Sequence, residues 1–277
     1  MRHGGICEQC VGKFPWKGIV YGCHRNSRLY SIPAALSGCL HRFLETWEKK
    51  VDAYIALTEF GKGKFAECGL PEEKIFVKPN FLSNPSEPNY SNGGYVVFIG
   101  RLSSEKGLNT LISTFKILKY ITYDHFSLKI IGDGPQRKHL ENMVRAKNIH
   151  NIEFIGRRSF DECMEFLKNS MFMVMPSICY EGFPLVIGEA FACGKPVIAS
   201  KLGALTELIE DGKTGLLFEP RNPKDLASKI KMMLENKGNC IEMGKKARKE
   251  FEKKYTAEKN FKMLLNIYNK IIHKTHE

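Results

Sequence analysis

The stretch Tyr95-Val-Val-Phe-Ile-Gly-Arg-Leu-Ser-Ser-Glu-Lys-Gly107 sets the pattern of the chain. Its first five residues are apolar or aromatic and read as a short, fully buried strand. Gly100 lets the backbone turn sharply. Arg101 and Lys106 then place two cations where a helix over 106–120 begins. The same unit recurs downstream. Strands are predicted at 127–131, 152–155, 172–175, 196–199 and 216–218, with helices at 135–147, 160–169, 184–193, 203–209, 223–237, 240–252 and 256–272. Short apolar strands alternating with amphipathic helices predict an α/β fold with a parallel sheet covered on both faces.

Upstream the pattern is thinner. Residues 1–33 read as irregular. Leu36, Leu40, Phe43 and Trp47 recur at steps of three and four, which predicts a helix over 34–49 with one apolar face. A strand at 53–57 is followed by Thr58, an N-cap for a helix that runs to Cys68 and stops at Gly69 and Pro71. A further strand is expected at 75–77. Between 79 and 94 lie three Pro, four Asn, three Ser and two Gly, the composition of a linker. The expected organisation is therefore 1–80, a linker at 81–94, a domain at 95–255 and a terminal helical segment at 256–277.

Of the 277 residues, 43% are hydrophobic and 26% charged, which excludes wholesale disorder. No apolar run approaches the roughly 18 residues of a membrane span. The opening residues lack the apolar core of a secretory signal. The net charge of +12 is concentrated at the two ends, and the middle is neutral. Basic residues are not interleaved with base-stacking aromatics, so no nucleic-acid partner is expected. Lys245, Lys246, Arg248 and Lys249 read as helix surface, on an exposed turn of the helix at 240–252, either a solvated face or an attraction to an anionic membrane surface. Six of the nine cysteines are scattered and read as reduced thiols of a cytoplasmic protein. Cys7, Cys10 and Cys23 differ, with a C-x2-C spacing and His24 adjacent to the third. Two readings stand: three ligands of a tetrahedral structural zinc, with His3 or His24 as fourth, or unligated cysteines.

In an open parallel sheet, ligands bind beyond the carboxyl ends of the strands. There, Arg101 offers a forked donor and Lys106 a point charge, the groups a diphosphate needs. Gly132-Asp133-Gly134-Pro135 is a tight turn that lacks the third glycine of a dinucleotide fingerprint. After the 172–175 strand come Glu181, Gly182, Phe183 and Pro184, then Glu189 two turns into a helix. A carboxylate among the apolar neighbours Ile187, Ala190 and Phe191 needs partners. Paired hydroxyls of a ribose or hexose supply them. One acid for ribose, one for sugar and a helix N-terminus for phosphate describe a nucleotide-sugar site.

Gly100-Arg-Leu-Ser-Ser-Glu-Lys-Gly107, Gly132-Asp-Gly-Pro135 and Glu181-x7-Glu189, in that order, resemble retaining glycosyltransferases of family 4 with the GT-B fold. Gly194-Lys-Pro-Val-Ile-Ala199 and Gly212-Lys-Thr-Gly-Leu-Leu217 fit the same family, and the resemblance covers the chain from residue 53 onward. It implies a complete C-terminal Rossmann-like domain and a partial, acceptor-side N-terminal one, so the chain reads as N-terminally truncated. The helix at 256–272 resembles the segment that crosses back to the first domain. By resemblance, Gly100, Arg101 and Lys106 hold the donor diphosphate and stabilise the leaving group. Glu181 and the backbone of Gly182, Phe183 and Pro184 hold the donor sugar. Leu185 and Val186 N–H groups approach the phosphates, and Glu189 takes the ribose. Asp133 and Gly134 belong to the donor site, and Gly156 and Arg157 stand near the base. The implied reaction transfers sugar from a UDP- or GDP-sugar to a glycan or lipid-linked acceptor, without a metal cofactor, in cell-surface polysaccharide synthesis. The implied place is cytoplasmic or peripheral at the inner face of the plasma membrane. The alternative is a non-catalytic nucleotide-sugar-binding remnant.

Overall fold

The computed structural model describes residues 5–85, 87–91, 93–119 and 126–274. The chain forms two compact units, Met1–Pro79 with Phe261–Glu277, and Asn80–Asn260.

The first unit contains α1 (Trp16–Val20), α2 (Arg28–Phe43), α3 (Thr46–Lys49), β1 (Tyr54–Ala56), α4 (Glu59–Glu67) and β2 (Ile75–Val77). β1 and β2 pair in parallel, with α4 as the crossover. Thr58 caps α4 as its sequence predicts, its hydroxyl accepting from Gly61 N at 3.1 Å. The helix predicted over 34–49 differs in both ends. It starts at Arg28 because Ser27 caps it, and Ser31 locks the cap by donating to Ser27 O at 2.7 Å and accepting from His24 N at 3.0 Å. It stops at Phe43 because Glu45 adopts a left-handed conformation (φ 50°), which throws Trp47 onto the separate helix α3. The predicted apolar face does not become a core. Leu36, Leu40, Phe43 and Trp47 are all exposed, Phe43 by 85%.

The second unit carries a six-stranded sheet: β3 (Tyr95–Ile99), β4 (Ser127–Ile131), β5 (Ile152–Gly156), β6 (Met173–Met175), β7 (Val197–Ser200) and β8 (Gly215–Phe218). All neighbours are parallel, in the order β5-β4-β3-β6-β7-β8. Its helices are α5 (Leu108–Leu118), α6 (Arg137–Ala146), α7 (Phe160–Lys168), α8 (Leu185–Ala192), α9 (Leu205–Leu208), α10 (Pro223–Glu235) and α11 (Lys237–Lys254). The final helix, α12 (Ala257–Lys274), begins in this unit and runs into the residues of the first. Start signals are chemically explicit: Ser159 and Glu162 form a capping box on α7, and Asn222 caps α10 ahead of Pro223. Val96, Phe98, Phe115, Leu128, Phe172 and Ile230 are buried in one core on the sheet. Burial of this extent, at ~25 cal/mol per Å2 of apolar surface, drives folding of the unit.

The linker at 81–94 is bonded within the second unit: Leu82 N donates to Tyr255 O and Asn89 N to Cys193 O, both at 3.1 Å. Lys245, Lys246 and Lys249 are exposed on α11, on the helix surface that the sequence predicts. Arg248 pairs with Glu252 at 2.6 Å and donates to the Ala192 carbonyl, so it is packed rather than solvated. Among the described residues no helix is long and apolar enough to cross a membrane.

Lys195 is 2% exposed, and its ammonium donates to Ser91 O at 2.9 Å. Burial lowers its pKa from 10.5 to about 8. A lysine that is harder to charge when folded loses its proton on folding between those two values. Stability therefore rises with pH from about 8 towards 10.5, and the full penalty is present below 8. Lys195→Met should abolish this rise and stabilise the protein at pH 7 by on the order of 2–3 kcal/mol. Denaturation curves of both proteins across pH 7–10.5 check it.

The loops after the strands interlock through glycine. A Cβ on Gly107 (φ +69°) would lie 1.8 Å from the Pro176 carbonyl oxygen, and one on Gly132 would lie 2.0 Å from the Gly100 oxygen. Gly212 has a similar φ of +74° but nothing within 4 Å. Gly212→Ala should therefore cost only the left-handed strain of about 1–2 kcal/mol. Gly107→Ala should cost about 1–3 kcal/mol more, from the overlap. Urea denaturation of the two variants separates the terms.

Candidate active site

The strand order reverses between β3 and β6. In an open parallel sheet such a reversal, at the carboxyl ends of the strands, is where ligands bind. The loop after β3 brings Arg101 and Lys106, and the loop after β6 brings Glu181. Lys106 Nζ donates to Glu181 Oε1 at 2.7 Å, across 75 residues of sequence. The same oxygen accepts from Ser177 Oγ at 2.6 Å. Ser177 is fully buried, and the ion pair above it is partly so. A backbone bond from Ile178 N to Glu105 O (2.8 Å) joins the two loops directly beside the pair.

Glu105 is occupied internally. The Ser103 hydroxyl, its strongest influence, holds its carboxyl below the usual range, and Ser104 donates at 3.5 Å. Arg101 is exposed and has no ion-pair partner among the described residues. The site thus presents one uncommitted guanidinium and one ammonium already paired with a carboxylate.

Gly100 donates to the Ile131 carbonyl at 3.0 Å, and Leu102 N donates to Asp133 O at 2.9 Å, so the β3 and β4 loops are laced together. Asp133 Oδ1 accepts from Gly134 N at 2.7 Å and tightens the turn. Arg137 bonds Glu141 at 2.9 Å and approaches Asp133 at 3.5 Å. Its guanidinium also stands 3.2 Å from where a Gly156 Cβ would lie, next to the exposed Arg157.

Phe183 is buried, with its ring edge-on to Tyr255 at 5.1 Å between centroids. Pro184 is the N-cap of α8, so Leu185 and Val186 stand in its first turn, where backbone N–H groups lack helical partners. Gly182 and Leu185 are exposed and Val186 is half-buried. Glu189 is half-buried in α8, and burial raises its carboxyl above the ordinary value. Its carboxylate makes no hydrogen bond or ion pair among the described residues. A carboxylate in that position gains from hydroxyl donors more than a hydrated one does. Chemically, the arrangement offers cations and free N–H groups to an anion, with a carboxylate on either side for hydroxyls.

Sequence reading did not single out Ser177 or Arg137. Ser177 sits within the quoted Pro176–Ala190 stretch, but nothing local marks a serine as buried beneath a carboxylate. The cysteine cluster is not assembled: Cys7 and Cys23 are exposed, and Cys10 instead lines a cavity of about 550 Å3 with Cys39 and Cys68. The turn carrying Cys10 is drawn towards α4, where Glu8 pairs with Lys64 at 2.7 Å. No group of three metal-ligating side chains forms among the described residues. His3 lies outside them.

Residues 82–250 match the family of glycosyl transferases group 1. An uncharacterised glycosyltransferase of Methanocaldococcus jannaschii is 39% identical over 230 residues, covering 76% of this chain and 63% of that protein. A sulfoquinovosyl transferase of Arabidopsis thaliana is 32% identical over 246 residues, covering 86% and 44%. The chain thus spans about half the length of such relatives. The structure of Staphylococcus aureus TarM in complex with fondaparinux, alpha-GlcNAc-glycerol and UDP superposes with a TM-score of 0.71 at 26% identity, covering 83% of this chain and 46% of that one. A sucrose-phosphate synthase of Thermosynechococcus elongatus shares the fold, with a TM-score of 0.72 at 22% identity over 89% of this chain and 62% of that one. With a doubly wound parallel sheet, cations at its switch point and this match over most of its second unit, the chain has the GT-B glycosyltransferase fold and belongs to the glycosyl transferases group 1 family.

Proposed function

We propose that the chain carries the donor half of a retaining hexosyltransferase of family 4. It takes sugar from a nucleoside-diphosphate sugar and passes it to a glycan or lipid-linked acceptor in surface-polysaccharide synthesis. The observation that carries this reading is the meeting of Lys106 and Glu181 at the β3–β6 reversal, with the exposed Arg101 on the same loop as Lys106. Likeness to TarM, a structure holding UDP, supports the donor class. A poly(ribitol-phosphate) alpha-N-acetylglucosaminyltransferase of Staphylococcus aureus, 28% identical over 226 residues, supports the product class.

In this reading the diphosphate lies between Arg101, Lys106 and the first-turn N–H groups of α8. Lys106 exchanges Glu181 for phosphate oxygens as the donor enters, which frees the Glu181 carboxylate for sugar hydroxyls. Charge that develops on the leaving diphosphate meets Arg101 and Lys106 already in place, so little reorganisation is needed at the moment of transfer. The acceptor oxygen arrives on the face from which the diphosphate departs, and configuration is retained. Glu181 positions the sugar and is not a covalent nucleophile. Glu189 takes the ribose hydroxyls, and Gly156 and Arg157 face the base.

Calorimetry with UDP, GDP and ADP tests the donor site. One of the three should bind, and Arg101→Ala or Lys106→Ala should each weaken it by about 1.5–3 kcal/mol, the scale of charged hydrogen bonds. A folded protein that binds none of them overturns the reading. Binding without transfer to any glycan or lipid-linked acceptor would leave a nucleotide-sugar-binding module.

Glu189→Ala should weaken the intact nucleotide while leaving its 2′,3′-dideoxy analogue nearly unaffected. Equal losses for both would assign Glu189 to the scaffold. Because burial raises the Glu189 carboxyl, its ionisation opposes folding above that raised value. Without ligand, Glu189→Gln should therefore raise the melting temperature at pH 7 even as it weakens binding.

A further inference from the structure

Two segments of the second unit reach the sugar-side loop from outside the sheet. The chain enters this unit at Asn80 and leaves it at Asn260. Near these ends, Leu82 and Thr256 form a parallel bridge, and Leu82 N donates to Tyr255 O at 3.1 Å. Entry and exit segments thus run side by side, and both touch Phe183. Asn80 Nδ2 donates to the Phe183 carbonyl at 3.3 Å, across 103 residues of sequence. The Phe183 ring rests edge-on against Tyr255 at 5.1 Å, and both residues are buried.

The Phe183 carbonyl is an unusual handle. It precedes the N-cap of α8, so the helix has no N–H for it. The peptide it belongs to joins Phe183 to Pro184 and has no N–H of its own. Its carbonyl is therefore the only polar group by which that peptide plane can be oriented. Only the amide nitrogen of an asparagine donates, which fixes the orientation of the Asn80 side chain. Rotating that plane would swing Glu181 and Gly182 on one side and the first turn of α8 on the other.

We propose that Asn80 is a positioning residue for the donor sugar: by holding the Phe183 carbonyl, with Tyr255 seating the ring, it sets the turn that links Glu181 to α8. The assignment rests on the reading that this turn holds the sugar. It predicts that Asn80 matters to the sugar moiety and not to the nucleotide.

The test uses the full chain with Asn80→Ala and Asn80→Asp, the second keeping size but replacing the donor with an acceptor. In the free protein, hydrogen exchange at the amides of Gly182, Phe183, Leu185 and Val186 should quicken by about ten-fold, with protection in β3–β8 unchanged. In calorimetry, whichever of UDP, GDP and ADP the wild type binds should bind the variants within about two-fold, while the tightest-binding sugar conjugate of that nucleotide weakens by about ten-fold. Unchanged exchange at these amides, or equal losses for the nucleotide and its sugar conjugate, overturns the proposal. If the wild type binds none of the three nucleotides or their sugars, the donor reading fails while the exchange measurement still decides whether Asn80 sets this turn.

Discussion

Between the loops that leave β3, β4 and β6 there is room for backbone and nothing else. The Gly132 position stands against the Gly100 carbonyl, Gly134 against Leu102, and Gly107 against Pro176, each at a separation that no Cβ tolerates. This close approach is what gathers three strand ends into one site. Because the backbones touch, Leu102 can bond Asp133 and Ile178 can bond Glu105, so the loops brace one another. The charged groups on these loops inherit their positions from that bracing. Arg101 and Lys106 are long, flexible side chains, and their usefulness to an anion depends on where the chain holds their roots.

The electrostatics follow from the same geometry. Glu105 lies between Arg101 and Lys106 in sequence and feels both charges, but its hydrogen bonds go to the Ser103 and Ser104 hydroxyls. Lys106 then finds Glu181, and a buried serine fixes the oxygen they share. A carboxylate bonded twice at one oxygen keeps its other oxygen for a ligand. Glu189 is the opposite case, half-buried and with no partner among the described residues, so burial raises the energy of its charge. The two acids of one motif therefore meet different environments, which suits two different hydroxyl-bearing groups.

The units differ sharply in how they are held. The second has a continuous core on a six-stranded sheet. The first buries few large side chains: its sheet has two strands, and α2 turns Leu36, Leu40 and Phe43 to the outside. A two-stranded sheet cannot by itself create an interior, since parallel strands need cover on both faces.

Local pattern made much of this legible. A run such as Tyr95–Ile99 can only be a buried strand, and Gly100 after it can only be a turn, so the alternation and the placement of Arg101, Lys106 and Glu181 at strand ends follow from the sequence. The helix over 34–49 was less legible, because periodicity marks a face but not the single left-handed residue, Glu45, that ends it. The cysteine spacing suggested a cluster that does not form among the described residues, since C-x2-C fixes two thiols and leaves the third to tertiary packing. Lys195 reads as a surface residue in any one-dimensional pattern and is among the most buried side chains in the protein. The sequence by itself determined the elements and their order along the chain, because strand, turn and helix signals act over a few residues. Only the tertiary structure decided that β3 lies beside β6, that Lys106 meets Glu181 over Ser177, and that Asn80 reaches Phe183. Those contacts join residues far apart in the chain, and they exist only once the order of strands in the sheet is fixed.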